Sequence, residues 1–180
     1  MNLHPIIVHF PIALLILYGL MELVRFKKVI NQPYWFYIKA VLVMVGGLGA
    51  LAALATGDTA AEMVRAGDAP LMVTNFRQVV SLHKNFADLS VAIFGILAAG
   101  YLVLWVEKTN YAPWTKIPLF QKIWSIKIKL ARVIIETRFV VLLAVAGLVC
   151  ISITGGLGGI MVFGPSADPF FGFIYQLLFP

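Results

Sequence analysis

Four stretches of this chain stay apolar for far longer than an ordinary core helix requires. They read PIIVHFPIALLILYGLMELV (about 5–24), YWFYIKAVLVMVGGLGALAALATG (34–57), NFADLSVAIFGILAAGYLVLWV (85–106) and TRFVVLLAVAGLVCISITGGLGGIMVF (137–163). About twenty apolar residues, at 1.5 Å of helix rise each, cross the roughly 30 Å hydrocarbon core of a bilayer. The pattern therefore predicts an all-α fold, an integral membrane four-helix bundle in a single transmembrane domain spanning residues 1–180. A different pattern fills the connection between spans three and four. Gln121, Lys122, Ser125, Lys129, Arg132 and Glu136 fall within roughly one 100° arc of a helical wheel, and Ile123, Trp124, Ile126, Ile128, Leu130, Val133, Ile134 and Ile135 fill the rest. Lys127 is the one misfit, and its long stem lets it snorkel. This is the signature of an interfacial amphipathic helix lying along a membrane surface.

The remaining segments are shorter. Gly57 to Leu82 reads as a loop in which TAAE (Thr59–Glu62) has capping-box spacing for a short helix and NFRQ (Asn75–Gln78) caps a helix leading into span three. The tail FFGFIYQLLFP is apolar and aromatic but too short to cross, so it is expected in the interface. Composition sharpens the class: 61% of residues are hydrophobic and 12% charged, against about a quarter charged in soluble domains. Met1-Asn2-Leu3-His4 lacks a positive n-region, so no signal peptide is expected, and the lone Cys150 leaves no internal disulfide.

Charge orients the spans. Arg25, Lys27, Lys28, Lys39, Lys108, Lys116, Lys122, Lys127, Lys129, Arg132 and Arg138 fall on one side, leaving Arg65, Arg77 and Lys84 on the other. The positive-inside rule then places the basic connections in the cytoplasm and both termini outside. The net charge of +6 is a topology signal and gives no reason to expect nucleic acid as a partner.

That orientation gathers all three histidines into the outer leaflet: His4 and His9 on span one, His83 at the start of span three. Asp58, at the outer end of span two, approaches the same layer. His9 lies about four residues, roughly 6 Å, inside the apolar run, where an ionisable side chain usually faces the bundle and has a partner. Pro11 leaves the Ile7 carbonyl without its usual donor and is expected to loosen that turn. His4 and His9 are five apart, about 140° round a straight helix, so a two-histidine clip on one helix is disfavoured. His9 and His83, on different helices, form the expected ligand pair of a haem b or a metal ion, with His4 secondary. Gly155 and Gly159, spaced as a small-xxx-small pair, either pack a neighbouring helix or receive a flat macrocycle.

The opening HPIIVHFPIAL, the histidine that opens the third span, and the GGLGGIMVF that closes the fourth resemble the bacterial family of four-helix membrane proteins called domain of unknown function 2231. The resemblance extends over essentially the whole chain, with the first motif its specific part. It implies a small membrane cytochrome-like protein of the bacterial inner membrane, in which His4, His9 and His83 occupy the family's histidine positions. Where the family commonly has a histidine after its glycine-rich motif, this chain has Pro165 in MVFGPSADP.

Three functions follow from these residues. One is a b-type haem electron-transfer protein or redox-complex subunit, exchanging electrons with quinol or an extracytoplasmic cytochrome. A second is a cofactor-free accessory subunit of a larger membrane complex. The third is a transition-metal site built from His4, His9, His83 and Asp58. A transporter is disfavoured because no charged residue lies near the midplane of a span. No enzymatic constellation of nucleophile and base, phosphate loop or paired carboxylates is present.

Overall fold

The computed structural model describes residues 4–65, 75–109 and 117–180. All regular structure among them is helical: α1 (His4–Leu23), α2 (Lys27–Ile30), α3 (Pro33–Arg65), α4 (Phe76–Thr109), α5 (Pro118–Ile135), α6 (Phe139–Phe163) and α7 (Pro169–Leu178). Among the described residues α1, α3, α4 and α6 are long and apolar enough to cross a membrane, as the hydrophobic pattern predicts. Pro33, Pro118 and Pro169 each open a helix, where the missing amide costs nothing because the first turn has no acceptor for it. Pro11 is instead inside α1, and its ring lies against Gly49 of α3, where a Cβ would come within 3.2 Å of it.

The helices run further than the sequence suggests at one end. TAAE does not start a new helix; α3 continues through it to Arg65, because an alanine-rich run of good helix formers follows Gly57 and one glycine costs only about 1 kcal/mol in a helix. Asn75 does mark the start of α4, its carbonyl accepting from the amides of Gln78 and Val79 at 2.9 and 3.0 Å. His83 is therefore two turns inside α4 and not at its edge. The aromatic tail forms α7, capped by Asp168, whose carboxylate accepts from the Phe170 amide at 2.8 Å. Gly164 makes the turn into that segment at φ +83°, a conformation that favours glycine.

In the bundle, α1 packs against α3 and α6, and α4 packs against the same two, so α1 and α4 lie across one diagonal. Close approaches at glycines fix the crossings. A Cβ at Gly46 of α3 would come within 2.8 Å of Leu15 on α1, and one at Gly147 of α6 within 2.7 Å of Phe94 on α4. Long aromatic side chains bridge the diagonal: Tyr18 of α1 meets Phe94 and Tyr101 of α4 edge-to-face at 6.2 and 5.9 Å. No more than 39% of any crossing window is buried in the bundle, and Leu48, Leu142 and Phe163 are among the large apolar side chains turned outward. In water that would be prohibitive. In lipid it is the expected surface, where helices associate by close packing and interhelical hydrogen bonds.

Helix α5 presents three faces. Trp124, Ile128, Ala131 and Ile135 turn toward the bundle, Ile123, Ile126, Leu130 and Val133 are exposed apolar, and Lys122, Ser125, Lys129 and Arg132 are exposed polar. Arg132 reaches Glu107 of α4 at 2.6 Å. A helix held to a bundle on one side, with adjoining apolar and basic sides, suits the boundary between lipid and water.

Candidate functional site

Polar side chains collect in two layers of the bundle, separated by apolar helix. One contains His4, Thr56, His83 and Thr154; the other contains Glu22, Lys39 and Tyr101. His4 and Glu22 are eighteen residues apart on α1, as are His83 and Tyr101 on α4, which at 1.5 Å per residue is roughly 27 Å. That is close to the roughly 30 Å of a hydrocarbon core, so the layers mark its two boundaries.

At the histidine end, α1 and α4 face each other across the diagonal, and each carries one imidazole into the layer. The buried stripe that turns α1 toward the bundle is Pro11, Leu15, Tyr18 and Glu22; His4, seven residues before Pro11, continues it at 100° per residue. Its Nδ1 is 3.0 Å from Thr56 Oγ1, and that hydroxyl gives its own proton to the Ala52 or Ala53 carbonyl. With that proton on a carbonyl, His4 Nδ1 is the donor in the tautomer that leaves the lone pair on Nε2. His83 is arranged alike: its Nδ1 lies 2.9 Å from the Thr154 carbonyl of α6, which can only accept. Burial holds the His4 imidazole below its ordinary value, opposed by its backbone contact at Ala53, so the neutral form is favoured.

Glycines let these rings lie flush against the wall. A Cβ at Gly57 of α3 would come within 3.3 Å of His4 Cε1, and one at Gly158 of α6 within 3.4 Å of His83 Cε1. These are different glycines from the expected pair. Gly159 is covered by the ring of Phe171 from α7, whose Cζ would lie 2.1 Å from an added Cβ, while Gly155 has nothing within 4 Å. The small-xxx-small spacing thus divides between a tail-packing position and an open one.

His9, expected to face the bundle, does not lie on the bundle side of α1. It is exposed, on the side of α1 that also carries Ile6, Phe10, Ala13 and Leu17. Positions 9 and 11 are two residues, about 200°, apart on a helix, so the residue on the lipid-facing stripe is His9, whereas Pro11 and His4 share the bundle side. The imidazole on the bundle side of α1, in the layer that contains His83, is His4's. Among the described residues no three His, Cys, Asp or Glu side chains come together as a metal site; the side chain of Asp58 lies outside those described.

The second layer lies outside the sites that the sequence suggests. Glu22 is 2% exposed; one carboxylate oxygen pairs with Lys39 Nζ at 2.9 Å and the other accepts from the Tyr101 hydroxyl. Three helices meet on this one carboxylate. Lys39 also lies over the Tyr101 ring, 5.6 Å from its centroid, while the buried Tyr18 hydroxyl has no hydrogen-bond partner among the described residues. The signal was present in the sequence as an acid within the apolar run of span one, on the Pro11–Leu15–Tyr18 stripe. An ionisable residue there is expected to face the bundle and to have a partner.

The geometry thus offers two imidazoles anchored through Nδ1 at one boundary and a closed ion pair at the other. A family model described as a predicted membrane protein (DUF2231) matches residues 1–166. No curated protein and no solved structure matches the chain. With four apolar helices in a bundle and a match that ends just before α7, this chain belongs to the DUF2231 family of predicted membrane proteins.

Proposed function

We propose that this membrane protein is a small electron-transfer protein or redox-complex subunit that holds one b-type haem through His4 and His83. The observation that carries the proposal is the matched pair of imidazoles. They come from helices on opposite corners of the bundle, and each donates Nδ1–H to the wall and so keeps its lone pair on Nε2. Haem ligation by histidine asks for neutral rings whose other nitrogen is fixed by a hydrogen bond, and the donor set fits. Thr56 and the Thr154 carbonyl orient the rings; Gly57 and Gly158 keep the walls beside them low. A haem bound by two histidines supplies one-electron transfer without an open coordination position. The positive-inside rule turns this end outward in a bacterial cytoplasmic membrane, toward an extracytoplasmic cytochrome or quinol as redox partner.

The test is an absorption spectrum of the purified protein, oxidised and dithionite-reduced, after expression with haem supplied. A low-spin b-type spectrum is expected in the wild type and in His9→Ala, and its loss in His4→Ala and His83→Ala. A spectrum that survives both of the latter substitutions defeats the ligand assignment. A second reading, a cofactor-free accessory subunit, is favoured by one observation: α7 fills the Gly156 and Gly159 face of α6 with Phe170, Phe171 and Ile174. A wild-type protein with no bound haem, copurifying with a larger complex, would select that reading.

A further inference from the structure

The end of the bundle away from the histidines opens into a cleft of ≈ 320 Å³ between the ends of α1, α4 and α5 and the start of α3. Its floor is the Glu22–Lys39–Tyr101 group. Both oxygens of Glu22 are occupied, so the floor is an ion pair already closed on itself. The rim is different: Arg25 follows α1, Lys108 ends α4, and Glu136 follows α5, all three exposed and lining the same opening. Two cations against one carboxylate leave the rim with a net positive charge. One wall is apolar and aromatic, formed by Trp35, Phe36, Leu104 and Ile135.

We propose that this cleft binds the phosphate of an anionic phospholipid. The Glu22 layer marks one boundary of the hydrocarbon region, so the cleft opens at headgroup depth, where tryptophan is favoured. Basic pockets between membrane helices hold phosphorylated headgroups in this way, and the guanidinium of Arg25 supplies a planar fork suited to phosphate oxygens, with Lys108 as a point charge beside it. The volume is at the lower end of the roughly 300–1,000 Å³ of small-molecule sites. That is room for a phosphate with its glycerol, and too little for a large planar cofactor. The apolar wall gives the first acyl carbons a surface that a free inorganic anion would not use. The cleft and the histidine layer occupy opposite ends of the bundle, so the two ligands are independent.

Native mass spectrometry of the detergent-purified full chain tests the proposal, with phosphatidylglycerol, phosphatidylcholine or inorganic phosphate added in separate arms. Phosphatidylglycerol should be retained in preference to phosphatidylcholine, and thermal unfolding should shift upward with the former alone. The double substitution Arg25→Gln/Lys108→Gln should weaken retention roughly thirtyfold, from about one decade or less per cation near a membrane surface. Lys27→Gln/Lys28→Gln removes the same charge at the same end but outside the cleft, and should change nothing. Glu136→Gln should increase retention, a gain that misfolding does not produce. Equal loss in both double variants, or retention untouched by Arg25→Gln/Lys108→Gln, overturns the site. A thermal shift from inorganic phosphate equal to that from phosphatidylglycerol overturns the lipid as its source.

Discussion

Lys39→Met should destabilise the bundle more than any other single change in the Glu22 layer. At 2.9 Å and an effective dielectric of about 20, the gross attraction between Lys39 and Glu22 is about 6 kcal/mol. Desolvation of two ions offsets most of it, so the pair contributes little net stability, yet removing one partner of a buried pair costs about 3–5 kcal/mol. The two partners differ in their escape. The Glu22 side chain is 1% exposed and the Lys39 side chain 14%, so lysine without its carboxylate can extend toward water, whereas glutamate without its lysine cannot. The expected order of loss is Lys39→Met at about 3–5 kcal/mol, Tyr101→Phe at about 1–2 kcal/mol for one hydrogen bond to a charged acceptor, then Glu22→Gln. The double variant Glu22→Gln/Lys39→Met should recover most of the Lys39→Met loss. Reversible unfolding in mixed micelles, run as a double-mutant cycle, gives the numbers. Additive effects with each single change under about 0.5 kcal/mol would mean that the pair behaves like an exposed one, and the reasoning from burial would be refuted.

Other outcomes follow from the same contacts. Gly159→Ala should destabilise by about 1–3 kcal/mol through overpacking against Phe171, measured by thermal unfolding and relieved by Phe171→Ala, whereas Gly155→Ala, with open space around it, should be near neutral. The lowered value of His4 means that the unfolded chain takes up a proton first as pH falls below about 6.5. Stability from this group is therefore complete above that point and declines as pH falls toward the folded value, a slope that His4→Gln should remove from a pH series of unfolding midpoints. In intact cells an impermeant thiol reagent should label a cysteine placed at Gln78 and not one placed at Lys129, with the buried Cys150 giving little background. The reverse pattern would invert the orientation.

The hydrophobic pattern alone determined the class, the four crossing helices and the amphipathic helix before α6. Each of these depends on local composition: length of apolar run, helical period, and the proline or asparagine at a helix start. The sequence places histidines at this end of the bundle, but an apolar surrounding alone does not tell which histidine of span one faces inward: His4 is on the bundle side and His9 is exposed. Judging His9 by the cost of an imidazole among apolar neighbours ignored the phase of the helix, which is set by Pro11, Leu15 and Tyr18 meeting α3 and α4. Had that stripe been followed, both His4 and Glu22 would have fallen on the bundle side. What no single helix contains is the pairing. Thr154 offers its carbonyl to His83 across 71 positions, Tyr101 donates to Glu22 across 79, and Phe171 of α7 takes the face of Gly159. These contacts arise from which helices lie next to each other, and periodicity along one chain carries no record of its neighbours.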